Sequence, residues 1–318
     1  MGKKILILGG NGFLGRSLAI KISKLHYDYT IFATSRKSVW NSDLKILPNV
    51  TLLTFPSYNA NTLKQLLQEV DIVINCIGIL NQTKKALFRD VHSGIVRMLV
   101  EQINTLQLPR IIHISAHHAD ANAAASRYLR SKGESEMYLH TYCNEYTNCT
   151  TFKPSLLYGF GDSSISTFAS IVRLSPYFYP VISPHSIIAP IYINDFTSLI
   201  IDSFEDYSTY GKIIDVLGPE DLSLLQIHQL IERQYLLFLG KRRSAITIPR
   251  WISYLIGFLS ELTHNTTLSV DMLRSLEHSP DRSVKNLKTT STKLEHMLPT
   301  LLGLITQMGE YSQFRKLG

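Results

Sequence analysis

The chain has 318 residues, 45% hydrophobic and 18% charged, with a formal net charge of +7 and a pI of about 9.2. Such a composition excludes a disordered or low-complexity chain and supplies core for one large domain, or a domain with an appendage. The positive charge admits anionic partners without naming one; a nucleic-acid role has nothing else behind it and is not expected.

A short apolar run, Ile5 to Leu8, is followed at once by four glycines in seven residues: Gly9, Gly10, Gly12 and Gly15. A helical pattern then begins with Leu14, Leu18, Ile22 and Leu25. The alternation continues with strands at Tyr29–Thr34, Val50–Phe55 and Asp71–Ile77, and a helix over 62–69. Phe88–Thr105 carries Val91, Ile95, Leu99 and Ile103 on one stripe, which predicts an amphipathic helix. Arg110–Ser115 is almost wholly apolar, as an interior parallel strand should be. A long helix over 126–143 and a strand at Cys149–Pro154 complete this half.

Beyond residue 160 the pattern loosens. Helices are expected at 164–174, at 194–202 with Asn194 or Asp195 as cap, at 224–237 behind Ser223, and at 251–262 opened by Pro249. Lys212–Leu217 reads as a strand, 177–190 as an irregular loop or hairpin, and the last 55 residues as short helices and turns. The expected fold is α/β: a Rossmann-type doubly wound parallel sheet with a smaller C-terminal substrate-capping region. Residues 1–155 form the dinucleotide-binding part, and 156–318 form the cap and return some elements to the core.

Strand, glycine turn and helix in succession predict dinucleotide binding. Glycine permits positive φ and leaves no Cβ between backbone and pyrophosphate, while the helix start offers free N–H groups. Two registers fit, Gly10-x-Gly12-x-x-Gly15 and Gly9-x-x-Gly12-x-x-Gly15.

The strand at 110–115 ends in Ser115; thirteen residues on comes Tyr128, and four further Lys132. Tyr and Lys at i and i+4 share a helix face. A neighbouring ammonium lowers a phenol pKa, and the phenol can then pass a proton to a carbonyl during hydride transfer while a serine holds the oxygen. Ser115, Tyr128 and Lys132 are therefore the candidate catalytic residues. After the second strand stand Thr34, Ser35, Arg36 and Lys37 in place of an acidic residue. Cations and hydroxyls suit a ribose 2′-phosphate, so NADP(H) is expected over NAD(H).

His113, His117, His118 and Asp120 lack the spacing of a zinc site, and no metal is expected. Cys76, Cys143 and Cys149 form no CxxC and are odd in number, which favours a reduced, cytoplasmic compartment. The first strand begins almost at Met1, so no signal peptide is expected, and Trp251–Leu259 is too short to span a membrane. Residues 240–262 are basic and aromatic, with Lys241, Arg242, Arg243 and Arg250 around Trp251, Tyr254, Leu255, Phe258 and Leu259. A helix packed on the core with a basic rim is the preferred reading; contact with a membrane surface or membrane complex, at its inner face, is the alternative.

GGNGFLG, DIVINCIG, HIS, YLRSKGESE, FKPSLLYG and PIYINDF together resemble the short-chain dehydrogenase/reductase superfamily, in its extended and atypical branches. SAHHADANAAASRYLRSKGESE and VHSG are most similar to the branch that holds the nucleotide-binding accessory subunit of respiratory complex I and its bacterial relatives. The resemblance is strong over 3–200 and thin afterwards. It implies cofactor contacts at Gly9, Gly12, Phe13, Leu14, Gly15, Asn75, Gly78 and Lys132, to which Ser35 and Arg36 are added by the 2′-phosphate reading and Pro154 at the end of the sixth strand, and it selects the Gly9-x-x-Gly12-x-x-Gly15 register. It implies either an NAD(P)-dependent oxidoreductase or epimerase/dehydratase acting on a small molecule, or an accessory subunit that only holds the nucleotide.

Three positions depart from the pattern. Phe55-Pro56-Ser57 replaces the aspartate that contacts adenine in relatives. His92 stands where a relay asparagine is common and is read as a packed or capping residue. Lys153 replaces a common arginine, with no functional reading.

Overall fold

The structure is a computed structural model that describes residues 2–26, 28–36, 43–55, 57–68, 70–82, 86–240, 242–262 and 269–303, the side chains of 239 and 259–262 excepted. The described residues divide into two compact units, one drawn from 1–154, 196–216 and 283–288, the other from 155–195, 217–282 and 289–318.

The first 154 residues supply β1 (Lys4–Leu8), α1 (Phe13–Leu25), β2 (Thr30–Ser35), β3 (Val50–Thr54), α2 (Ala60–Leu67), β4 (Ile72–Asn75), α3 (Ile95–Leu106), β5 (Arg110–Ile114), α4 (Arg127–Tyr142) and β6 (Asn148–Pro154). There follow β7 (Leu157–Tyr158), α5 (Ser164–Leu174), β8 (Phe178–Val181), β9 (Ile187–Ile188), β10 (Ile191–Tyr192), α6 (Ile193–Asp202) and β11 (Lys212–Leu217). The chain continues with β12 (Leu222–Ser223), α7 (Leu224–Leu239), β13 (Ser244–Thr247), α8 (Arg250–Leu262), α9 (Val270–Ser275), β14 (Leu287–Thr289) and α10 (Leu294–Leu301).

One sheet runs β14-β11-β6-β5-β4-β1-β2-β3. Every pair from β11 to β3 in that order is parallel. Chain order reverses direction between β1 and β4, the switch point at which Rossmann-type sheets open a crevice beyond the strand ends. Ile5–Leu8 are fully buried, as are Leu99 and Ile103 of α3 and Leu139 of α4. Those helices pack on Leu6, Leu8, Val73 and Ile111, each such side chain contributing about 1.5–3 kcal/mol of transfer energy.

The helix expected from Phe88 is not uniform. Residues Arg89–Gly94 form a π-helical turn before α3 begins. This wider turn carries Val91, His92 and Ser93, all three buried.

In the second unit, Tyr158, Val172, Tyr179, Ile227, Ile231, Leu294 and Leu298 form the core. A capping box of Ser223 and Gln226 starts α7, and Gly240, at φ +66°, ends it. The 177–190 segment is not a hairpin, because β8 pairs with β13 and β9 with β12; its partners come from later in the chain. The expected cap is corrected: α6 begins at Ile193, so Asn194 and Asp195 lie inside its first turn, and the Asp195 carboxylate instead accepts from Thr292 N and Oγ1, both at 3.0 Å. Helix α8 packs by one face, with Ser253 fully buried and Gly257 against Leu273 of α9, and leaves its other face open. Trp251 is 69% exposed, and Leu255, Ile256 and Phe258 are exposed too. Lys241 and the Leu259 side chain lie outside the described residues.

Candidate functional site

Strand β1 delivers the chain to the switch point at Gly9, whose φ of +75° turns it sharply. The turn closes when Gly12 N donates to Gly9 O at 3.0 Å. The four glycines do different work. A Cβ on Gly10 would lie 2.6 Å from Ala33 Cβ, and one on Gly15 would lie 2.4 Å from Gly9 O. Both positions are thus fixed by packing. A Cβ on Gly12 would meet only Gly9 O, at 3.2 Å. Gly12 is the exposed N-cap of α1 and supplies no capping side chain, so Phe13, Leu14 and Gly15 open a helix end suited to an anion. A cradle closed to side chains and open on its outer side fits a pyrophosphate.

At the end of β2, Thr34 is buried, and its Oγ1 accepts from Gly9 N at 3.1 Å and lies 2.6 Å from Tyr58 Oη. Ser35 is half-buried and Arg36 exposed; Lys37 and Pro56 lie outside the described residues.

At the end of β4, the Asn75 amide donates to His113 Nδ1 at 3.1 Å, and its Oδ1 accepts from Ile77 N at 3.1 Å. This leaves the His113 proton on Nε2. Burial, followed by the charge of Lys132, holds His113 well below the usual histidine range. The structure thus gives Asn75 a role in shaping the strand end. Gly78 is exposed, and a Cβ there would lie 3.2 Å from Lys132 Nζ.

Ser126 caps α4 by accepting from Leu129 N, so Tyr128, Lys132 and Glu136 fall on successive turns of one face. Lys132 is buried, and its ammonium donates to Ile114 O at 2.9 Å and Ile77 O at 3.4 Å. Burial pulls its pKa down to about 8. Tyr128 packs against Ala116, Ala119, Ala124 and Leu129, with Phe88 and His92 edge-on to its ring. Burial pushes its hydroxyl up to about 12. The expected lowering of the phenol by its lysine is therefore not what the structure gives, because desolvation governs both groups. Ser115 is buried, and Pro154 ends β6 with its carbonyl accepting from His117 N.

Of the two bland roles expected for His92, packed or capping, the structure shows the packed one. Its Nε2 accepts from Ile79 N at 3.1 Å, so Nδ1 carries the proton and donates to Ser131 Oγ at 2.7 Å. Ser131 in turn donates to Tyr128 O. Burial drives the imidazole down to about 2. Lys153 also acquires a role: its ammonium donates to Ala119 O at 2.8 Å and reaches Glu136 Oε1 at 3.4 Å. His117 Nδ1 meets Asp215 Oδ1 at 2.7 Å. Sequence reasoning missed both pairs; only the spacing of Glu136, four residues after Lys132, signalled the first. Among the described residues no cluster suits a metal ion.

The profile of the "NAD dependent epimerase/dehydratase family" matches residues 5–174. The chain belongs to that family. Among curated proteins, the NADH-ubiquinone oxidoreductase 40 kDa subunit of Neurospora crassa is 21% identical over 79% of this chain and 64% of its own length. The NADH dehydrogenase 1 alpha subcomplex subunit 9 of Mus musculus is 24% identical over 71% of this chain and 59% of its own. The family member described here thus spans about three-fifths of those relatives. Among solved structures, UDP-glucuronic acid 4-epimerase from Bacillus cereus, in complex with NAD, superposes with a TM-score of 0.68 at 18% identity, covering 96% of this chain and 99% of its own. The epimerase Mth375 of Methanothermobacter thermautotrophicus gives 0.71 at 15%, covering 99% and 95%. These likenesses establish the Rossmann-like fold of the family.

Proposed function

We propose that the chain binds NADP(H) across the β1/β4 switch point and acts there as an oxidoreductase on a carbonyl or alcohol. The observation that carries this reading is the convergence, at the ends of β1, β4 and β5, of the glycine cradle, the exposed Gly78 and the buried Lys132 ammonium. Phe13, Leu14 and Gly15 would hold the pyrophosphate, Ser35 and Arg36 the 2′-phosphate, and Asn75, Gly78, Lys132 and Pro154 the inner ribose and ring. Bound nicotinamide supplies or accepts hydride. Tyr128, held protonated by its surroundings, donates the proton to the substrate oxygen, and Ser115 steadies that oxygen. NAD(H) is the alternative ligand.

A second reading has its own support: a nucleotide-holding accessory subunit of a membrane-bound respiratory or quinone-related assembly. The curated relatives named above are complex I proteins, and α8 exposes Trp251, Leu255 and Phe258 next to Arg250. Peripheral attachment would suffice, since no described helix is long and apolar enough to cross a membrane. Native mass spectrometry should find a retained NADP(H). Carbonyl-dependent NADPH oxidation should then vanish in Tyr128→Phe; wild type and variant behaving alike would remove the catalytic reading. Flotation with anionic vesicles tests the peripheral contact, and no co-flotation ends it.

A further inference from the structure

The sheet face beneath α4 changes character along its strands. It is apolar where they begin, with Val73, Ile111 and Cys149, and polar where they end. Residues two apart share a strand face, so Asn75, His113, Thr151 and Lys153 continue those rows. Ser115 N donates to Phe152 O, and Asp215 is in register with Lys153. Ser115, Lys153 and Asp215 therefore form one level across three neighbouring chains of the sheet. Glu136 descends onto that level from α4.

Glu136 and Ser115 are 8% and 4% exposed. Lys153 takes Glu136 Oε1 at 3.4 Å. Glu136 Oε2 and Ser115 Oγ are both buried without a hydrogen-bond partner. The Ser115 hydroxyl nonetheless acts on Glu136 and favours its carboxylate form, which puts the two groups together. Two buried oxygens with no partner but each other, one able to donate and one titratable, define a pair whose proton can sit either way.

We propose that Glu136 is a positioning residue that sets the direction of the Ser115 hydroxyl. With Glu136 ionised, Ser115 donates to the carboxylate and offers only lone pairs to a substrate. With Glu136 protonated, the carboxyl donates to Ser115 Oγ, and the serine proton is released toward the substrate oxygen. No bond between heavy atoms changes; one proton is exchanged with solvent. Two charged groups on the sheet act on Glu136, and two more ionisable groups share its helix. Lys153 on β6 favours the carboxylate, and Asp215 on β11 opposes it and is itself paired with His117. Lys132 and His140 stand one turn away on α4. Burial outweighs Lys153 and raises the Glu136 carboxyl above the usual range. This inference rests on Ser115 as the substrate-oxygen donor of the proposed chemistry.

The test begins without nucleotide or substrate. Glu136 in the full chain is titrated by carboxyl ¹³C NMR in wild type, Ser115→Ala and Ser115→Thr. Loss of the hydroxyl should move the titration up by about one pH unit, and Thr should restore the wild-type value. An unmoved Ala variant, or a Thr variant shifted as far as Ala, overturns the proposal. In the second arm, the pH profile of carbonyl-dependent NADPH oxidation is compared in Glu136→Gln. Its amide donates like a protonated carboxyl and never ionises. The wild-type alkaline fall through the Glu136 titration should be absent from the variant, and a variant that keeps it overturns the proposal. If the chain turns over no carbonyl while the first arm holds, the catalytic reading fails and the Glu136–Ser115 coupling stands.

Discussion

The two glycines that flank the start of α1 should separate ligand binding from folding. Gly12 has φ −74° and ψ 172°, a conformation open to alanine, and its added Cβ would press only on Gly9 O at 3.2 Å. Exchanging glycine for alanine at an N-cap costs about 0.5–1 kcal/mol. The same methyl would project where a phosphate must approach the helix N–H groups. NADPH affinity in Gly12→Ala should therefore fall at least about tenfold, equivalent to about 1.4 kcal/mol. Gly15→Ala behaves differently: its Cβ would sit 2.4 Å from Gly9 O and 2.7 Å from Gly10 Cα, both backbone atoms. Backbone cannot swing aside as a flexible side chain can, so destabilisation of about 3 kcal/mol or more is expected. Urea melts give the first quantity for each variant and fluorescence titration with NADPH the second. A Gly12→Ala protein that melts like wild type and binds NADPH within twofold of it would refute the placement of the phosphate at this helix end.

The other expectations concern specificity and pH. Arg36→Asp should reverse the NADPH/NADH affinity ratio, because a carboxylate bonds a free 2′-hydroxyl and repels a phosphate; an unchanged ratio by titration with both nucleotides removes Arg36 from the site. Lys132 releases its proton near pH 8 when folded and at its ordinary 10.5 when unfolded, so the unfolded chain binds more protons between those values. Stability should climb across that window by about 3 kcal/mol, and urea melts of Lys132→Met should lack the climb. His92 refuses a proton down to about pH 2, whereas an unfolded histidine accepts one near 6.5. Wild type should thus lose about 1.4 kcal/mol per pH unit below 6.5 through this residue, and His92→Asn should show a shallower acid limb in the same melts.

The sequence displayed those parts of the fold that are local. Ile5–Leu8, the glycine turn and the start of α1 are contiguous, and their periodicity declares strand, turn and helix; the same holds for β5 and α4. The partners of β8 and β9 lie in 244–247 and 222–223, and pairing across such separations leaves no local pattern. The π turn at 89–94 was hidden for a different reason: a stripe of Val91, Ile95, Leu99 and Ile103 suits a helix of either pitch. Spacing placed Tyr128 and Lys132 on one face, but it could not foresee how far desolvation would move their pKa values. That depends on Phe88, His92 and the alanines of the 116–124 loop, which reach Tyr128 only through the fold.

The polar file beneath α4 is hard to explain by stability alone. Each buried polar group left without a partner costs about 1–3 kcal/mol. His113 Nε2 is such a group on this helix–sheet interface, and Ser115 Oγ and Glu136 Oε2 have only each other. Replacing a buried ion pair such as Glu136–Lys153 with apolar side chains of similar volume is often neutral or stabilising. The beginning of the same face shows the fold able to do this, where Leu139 of α4 packs on Ile111 and Cys149. The switch from apolar to polar occurs at the strand ends, level with Lys132 and the β1/β4 crevice. A helix that must present Tyr128 and Lys132 to that crevice carries its next turn, Glu136, into the sheet at the same depth. The cost of burying these groups is thus confined to where the fold opens a site, and this is the physical ground for reading the file as part of the site's chemistry.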